Sequence, residues 1–88
     1  METPAHDDGS LLRSYLAGSE AAFAELVGRH INAVYNTALR MVGGDAHLAS
    51  DVTQKVFTSL ARKAAALADR PMLIGWLYQS THYEAAAT

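Results

Sequence analysis

One long amphipathic pattern constrains the fold of this chain more than any other feature. Between residues 23 and 42, apolar side chains recur at steps of three and four over about six helical turns. The members of this stripe are Phe23, Leu26, Val27, Ile31, Val34, Tyr35, Ala38, Leu39 and Val42. Ser19 stands before the pattern as an N-cap, and Gly43-Gly44 ends it. The pattern predicts a long helix, the clearest element in the chain.

Three other helical patterns surround this long helix. A short first helix is predicted before it, capped by Asp7 or Asp8 and ended by Gly18, with the stripe Leu11, Leu12, Tyr15 and Leu16. Asp45 is the predicted N-cap of a third helix, whose buried face would be Leu48, Val52, Val56 and Leu60, with Leu67 as an optional further member.

The chain between the third and last helices is expected to fray from Ala64 to Ala68. Pro71 suits the first position of a fourth helix, which runs from Met72 onward. The apolar residues of that helix are Leu73, Trp76, Leu77 and Tyr83.

These patterns predict an all-α fold, a compact bundle of three longer helices preceded by one short helix. No strand-like alternation competes with them, and loops of a few residues make successive helices neighbours. A chain of 88 residues is enough for one domain. We expect residues 1–9 to be a flexible N-terminus and residues 10–88 to be the helical domain.

Composition excludes several classes of function. The chain has no cysteine, so it has neither disulfides nor thiolate metal sites, which suits a reducing cytosol. The four histidines lack zinc-site spacing, and no G-x-S-x-G motif occurs, so we expect no enzyme, no metal and no cofactor. His30 is interpreted as a partly buried structural histidine.

Apolar runs fall far short of the roughly 20 residues that span a bilayer, so a soluble, cytoplasmic protein without a membrane partner is expected.

Net charge is −2, with seven Lys and Arg against nine Asp and Glu. Binders of duplex DNA usually carry a basic face, because phosphate neutralisation supplies most of their affinity. Charge alone therefore argues against independent binding of duplex DNA.

The third helix carries a polar stripe opposite its predicted apolar face. Asp51, Gln54, Lys55 and Thr58 stand at positions i, i+3, i+4 and i+7, and Phe57 is placed at the edge of the stripe, between core and surface. Such a face could simply be solvated, or it could dock a partner helix through directional hydrogen bonds. Spacing alone leaves both interpretations open.

Four ordered blocks of sequence resemble one known family. Residues 51–57 (DVTQKVF) resemble the core of region 2.2 in extracytoplasmic-function (ECF) sigma factors. Residues 22–27 (AFAELV), with the Arg-His and Val-Tyr pairs that follow them, resemble region 2.1 of these factors. The Gly-Asp turn at 44–45 with the approach at 49–51, and the run at 75–78 (GWLY), resemble two further blocks. Together the blocks cover roughly residues 10 to 84.

The resemblance implies that the third helix docks on a clamp coiled coil in the largest subunit of core RNA polymerase. Asp51 and Gln54 would then be the polar contacts, with Phe57 packed beside them and Lys55 and Thr58 completing the face. Ser50 and Lys55 depart from the family, which commonly has acidic residues at both positions. The clamp face is expected to be basic.

The resemblance also implies promoter opening at the −10 element. The loop from about Leu67 to Leu73 would capture a base flipped from the non-template strand, with Arg70 as its candidate contact. Tyr78, His82 and Tyr83 are further candidate DNA contacts, whereas Trp76 lies on the stripe of Leu73 and is assigned to the core.

The sequence does not identify partners other than the polymerase and the promoter. The resemblance allows an anti-sigma factor as a further partner, and it implies a truncation before the C-terminal DNA-binding domain of the family. The alternative to this interpretation is a helical protein–protein interaction module, an adaptor or an obligate dimer, unrelated to transcription.

Overall fold

Helices alone build the fold in residues 7–70 and 72–88, the part of the chain that the computed structural model describes. No strand occurs in these residues, so the all-α prediction is confirmed. The helices are α1 (Asp8–Leu16), α2 (Glu20–Met41), α3 (Ala46–Arg62), α4 (Ala64–Leu67) and α5 (Leu73–Ala86).

Side-chain caps begin the first three helices where the sequence predicts them. Asp7, Ser19 and Asp45 each accept a hydrogen bond from the backbone N–H three residues later, at N···O distances of 2.7, 3.1 and 3.1 Å. Each bond satisfies one of the N–H groups that a helix start leaves without an intrahelical partner. Of the two acids proposed for the first cap, the structure selects Asp7, and Asp8 becomes the first residue of α1.

The turn between α2 and α3 depends on two glycines. Gly43 and Gly44 have φ angles of 67° and 85°, a region that residues with a Cβ atom rarely enter. The turn lets α3 fold back against α2, its most extensively contacted neighbour. Helix α2 also packs on α1 and α5, and α3 packs on α5 and α4.

The core lies where α2, α3 and α5 meet, with α1 closing one side. Its fully buried large side chains are Leu12, Leu26, Val52, Val56, Leu60, Leu77 and Thr81. Thr53 and Thr81 bring hydroxyl groups into this core, and each hydroxyl donates to the carbonyl four residues earlier, at 2.8 and 2.7 Å. These bonds allow the two threonines to be buried without an unsatisfied polar atom.

Three residues predicted to be apolar core are exposed instead. Leu16 is 50% exposed at the last turn of α1, and Ile31 is exposed at the rim of the contact between α2 and α3. Tyr83 is 73% exposed. The inward row of α5 runs through Leu77 and Thr81, and Tyr83 follows Thr81 by two residues, a rotation of roughly 200° about the helix axis. Its side chain therefore faces away from the core. The prediction of burial from periodicity was wrong for these three residues. Periodicity shows where apolar side chains stand along a helix, whereas burial depends on which side of the helix faces another helix.

The chain after α3 also differs from its prediction. Instead of fraying, residues 64–67 form the one-turn helix α4, whose Ala64 and Leu67 are buried. Helix α4 packs against α1, and this contact makes one turn of helix favourable where local sequence alone does not. Helix α5 begins at Leu73, with Met72 as its N-cap residue, and Pro71, the predicted first residue, lies outside the described residues.

The N-terminal boundary is earlier than expected. Helix α1 includes Asp8 and Gly9, which were assigned to a flexible segment of residues 1–9. Residues 1–6 of that segment lie outside the described residues. In residues 7–70 and 72–88, no helix combines the length and the apolar character that a bilayer span requires.

Burial predicts a large difference between two leucines. Leu60→Ala is expected to lower the free energy of unfolding by about 2–5 kcal/mol, because it opens a cavity in the centre of the core. The control Leu16→Ala, at a half-exposed position, is expected to stay within about 1 kcal/mol of wild type. Urea denaturation followed by circular dichroism measures both values. Similar losses in the two variants would contradict this packing.

Candidate functional site

Helix α3 presents its polar stripe to solvent. Asp51, Gln54, Lys55 and Thr58 are all exposed, while Val52 and Val56 on the opposite side are fully buried. The prediction that this helix turns its apolar side inward and leaves the acid–amide pair outside is therefore confirmed. We call these four residues the α3 polar face. Within the described residues, Asp51 and Gln54 make no side-chain hydrogen bond or ion pair, so their oxygen and nitrogen atoms are available to a partner.

Phe57 is more deeply buried than the position between core and surface that the sequence predicts for it. Its side chain is 8% exposed and belongs to the core. Helix α3 buries two parallel rows, because it packs on both α2 and α5. Ala49, Thr53 and Phe57 form one of these rows, which the sequence analysis missed because alanine and threonine are weak markers of burial.

An open apolar groove runs between α2 and α3 beside the polar face. It has a volume of about 690 Å³. Its walls are formed by Phe23, Val27, Ile31, Asn32, Tyr35, Ser50, Thr53, Gln54, Phe57, Thr58 and Ala61. Gln54 and Thr58 belong both to this groove and to the polar face, so the two surfaces are continuous. Sequence reasoning missed this groove because its walls come from two helices.

A second cavity lies beside the loop that joins α4 to α5. It has a volume of about 590 Å³, and we call it the loop pocket. Its walls are formed by Asp7, Asp8, Gly9, Arg13, His30, Ala68, Asp69, Arg70, Met72, Leu73 and Ile74. Arg70 is exposed at this pocket, as expected for a loop residue. The fold also brings Arg13 and His30 to this pocket from distant parts of the sequence, and three carboxylates line it with them.

His30 is held by an acid from another helix. Its Nε2 atom lies 2.9 Å from Oδ2 of Asp8, and Oδ1 of Asp8 lies 3.3 Å from Nη1 of Arg29. The position of His30 in the row that continues through Leu26 and Val34 explains why its side chain is only 14% exposed. The prediction of a partly buried structural histidine is confirmed. Among the residues described, no three His, Asp or Glu side chains converge as a metal site would need.

The aromatic DNA candidates on α5 do not form one site. Tyr78 and His82 are both exposed and pack together, with ring centroids 4.5 Å apart. Ile74 lies beside both Tyr78 and the loop pocket, which connects this pair to Arg70. Tyr83 occupies a different recess, with Arg62 and Lys63 from the end of α3. Trp76 also lies there and is half-buried against the core, as its stripe predicts.

Arg62 and Lys63 are potential nucleic-acid contacts that the sequence analysis did not select. Two adjacent cations beside an exposed tyrosine combine phosphate attraction with a stacking surface. The sequence feature that could have identified them is the adjacent basic pair at the end of α3. Its closeness to Tyr83 depends on the packing of α5 against α3.

A comparison with known families matches most of the chain. A family model described as Sigma-70 region 2 matches residues 26–86, from the first half of α2 to the last residue of α5. The α3 polar face, the α4–α5 loop and all candidate residues of α5 lie inside this range. Comparisons with curated proteins and with solved structures gave no significant match.

The burial of Phe57 generates a stability prediction. Phe57→Ala is expected to lower the free energy of unfolding by about 3–5 kcal/mol, since it removes a core ring. The neighbouring exposed change Gln54→Ala is expected to cost no more than about 0.5 kcal/mol. Thermal and urea unfolding of both variants measure the difference. A Phe57→Ala variant as stable as wild type would show that the ring is not part of the core.

Proposed function

The chain belongs to the sigma-70 region 2 family, which acts in transcription initiation, and we propose that it binds core RNA polymerase and melts the −10 element of promoters. The observation that carries the proposal is the acid–amide pair of Asp51 and Gln54, whose side chains have no hydrogen-bond partner among the described residues. It is exposed on a rigid helix inside the matched residues.

The α3 polar face and the groove beside it suit a helical partner with basic side chains. The groove offers apolar contact area, and Gln54 and Thr58 form its polar rim, an arrangement typical of helix-in-groove recognition. The Asp51 carboxylate has no intramolecular partner in the described residues and can accept a bidentate pair of hydrogen bonds from an arginine. A basic clamp coiled coil of the polymerase, which the family resemblance implies, has this chemistry.

Lys55 adds a positive charge to this docking face but does not pair with the Asp51 carboxylate. It stands four residues after Asp51, but the two side chains form no ion pair. The lysine therefore leaves the carboxylate free, although its own charge opposes a basic partner. We assign the main polar contacts to Asp51 and Gln54 and a secondary contact to Thr58.

The loop pocket supports the proposed capture of a flipped base. Extruding a base costs a few kcal/mol of stacking, which a pocket must offset with contacts to the ring and its edge. The apolar side chains of Met72 and Ile74 line the pocket beside Arg70 and Asp69. Mixed charge of this kind suits the neutral, hydrogen-bonding edge of a base better than it suits a phosphate. Tyr78 and His82 continue the surface along α5 and are proposed to stack on neighbouring unpaired bases.

Phosphate contacts are proposed at the other recess of α5. Arg62 and Lys63 stand there beside the exposed ring of Tyr83. Since the net charge of the chain is −2, such local pairs of cations are where a DNA strand would be attracted.

Removing the acid–amide pair tests polymerase binding. Asp51→Asn and Gln54→Ala are each expected to weaken binding to bacterial core polymerase by roughly tenfold. The first change removes the negative charge and one of two acceptor oxygens, and the second removes the whole amide group. The measurement is fluorescence anisotropy of the labelled chain titrated with core polymerase. Helical content and unfolding midpoint are expected to stay at the wild-type values.

The matched control for this experiment is Asn36→Ala, an exposed amide on α2 outside both the polar face and the groove. It is expected to bind as wild type does. A double Asp51→Asn, Gln54→Ala variant with full affinity would contradict the docking face. Absence of binding by the wild-type chain would contradict the proposed polymerase binding itself.

Arg70→Ala is expected to separate promoter opening from polymerase binding. The variant should bind core polymerase normally, because the pocket that Arg70 lines includes no residue of the α3 polar face, but it should form fewer open complexes. Fluorescence of 2-aminopurine in the non-template strand reports opening, on promoters selected from a randomised pool by the wild-type complex. Arg40→Ala, another exposed arginine, serves as the control. Parallel loss of polymerase affinity and opening in Arg70→Ala would contradict the assignment.

A further inference from the structure

Helix α1 approaches the α4–α5 loop so closely that only glycine fits at one position. A Cβ atom on Gly9 would lie 2.7 Å from the carbonyl oxygen of Ala68, a distance that real Cβ atoms essentially never show. The clash would be with backbone, which cannot rotate away as a flexible side chain can. The absence of a side chain at residue 9 therefore brings α1 into direct contact with the loop.

Arg13, one turn further along α1, bonds to the same carbonyl group. Its Nη1 atom donates to the oxygen of Ala68 at 3.2 Å, in a partly buried contact. The same nitrogen lies 3.7 Å from Oδ1 of Asp69. Ala68 is the C-cap residue of α4, where carbonyl groups lack intrahelical donors, so the guanidinium supplies a missing partner. Two residues of α1 thus determine the position of one peptide group at the start of the loop.

Helix α1 is itself held from the other side. Leu11 and Leu12 are buried in the core, and Asp8 is paired with His30 and Arg29 of α2. Movement of α1 away from the loop would have to expose the leucines and break both pairs. The helix therefore acts as a fixed support between α2 and the loop.

We propose that Gly9 and Arg13 are positioning residues for base capture. They hold the backbone of Ala68 and Asp69 so that Arg70, one residue further on, has its place at the loop pocket before DNA arrives. A loop ordered in advance binds more tightly, because less conformational entropy is lost on binding. This inference rests on the proposed role of the loop pocket in promoter opening. Both residues precede the range that the family model matches.

The test uses the chain bound to core polymerase and short single-stranded DNA of randomised sequence, from which the wild-type complex selects its ligand. Gly9→Ala and Arg13→Met are each expected to weaken binding of this DNA by roughly three- to tenfold, while polymerase affinity stays unchanged. The matched control is Gly28→Ala, a helical glycine whose Cβ would meet nothing within 4 Å, and it is expected to bind as wild type does. Arg13→Lys, which retains a donor, is expected to restore part of the affinity.

A double-mutant cycle decides whether Arg13 acts through Arg70 or contacts DNA itself. In the Arg70→Ala background, Arg13→Met is expected to have little further effect, because the group that it positions is absent. Hydrogen exchange at the amides of Ala68 and Arg70 is expected to become faster in Gly9→Ala and Arg13→Met. Additive losses in the cycle, or wild-type DNA affinity in Gly9→Ala, would overturn the proposal. If Gly9→Ala does not fold, Arg13→Met and the cycle decide the outcome.

Failure of the proposed promoter role would give a different result from failure of the positioning inference. If the wild-type chain on core polymerase selects no single-stranded DNA, then the proposed promoter role is wrong. If the wild type binds DNA and all the variants of residues 9 and 13 match it, then only the positioning inference is wrong.

Discussion

The burial of two adjacent rows of α3 is the constraint on which the other surfaces depend. Val52, Val56 and Leu60 form one row, and Thr53 and Phe57 belong to the other. Because α3 packs on α2, α4 and α5 at once, its rotation about its own axis cannot change without exposing several of these side chains. The outward direction of Asp51 and Gln54 is a consequence of that fixed rotation. A helix with only one buried row would aim the same polar side chains less accurately.

The packing of α3 also separates the proposed polymerase contacts from the loop pocket proposed for base capture. The groove lies between α2 and α3, and the polar face beside it extends to Glu84 of α5. The loop pocket is formed by α1, His30 of α2, the α4–α5 loop and the start of α5. The two surfaces share no lining residue. A polymerase subunit can therefore occupy one surface while a DNA base enters the other, and a substitution on one is free to act alone.

Charge is distributed differently at the two proposed DNA surfaces. Three carboxylates accompany Arg13 and Arg70 at the loop pocket, whereas Arg62 and Lys63 beside Tyr83 have one, Glu84, with them. The basic pair beside Tyr83 can attract a strand locally even though the net charge of the whole chain is −2. We expect the isolated chain to bind duplex DNA poorly, because long-range attraction depends on the sum of the charges.

Side-chain pattern alone predicts four of the five described helices, caps at Ser19 and Asp45, a first cap at either Asp7 or Asp8, and the outward stripe of α3. These features depend on side chains a few residues apart along one helix, where periodicity and capping chemistry act directly. Tertiary structure alone decided the burial of Phe57, the exposure of Leu16, Ile31 and Tyr83, the helical turn of α4, and the contact of Gly9 and Arg13 with Ala68. Each of these depends on which helix lies opposite, and a pattern along one segment carries no record of its neighbour across the core.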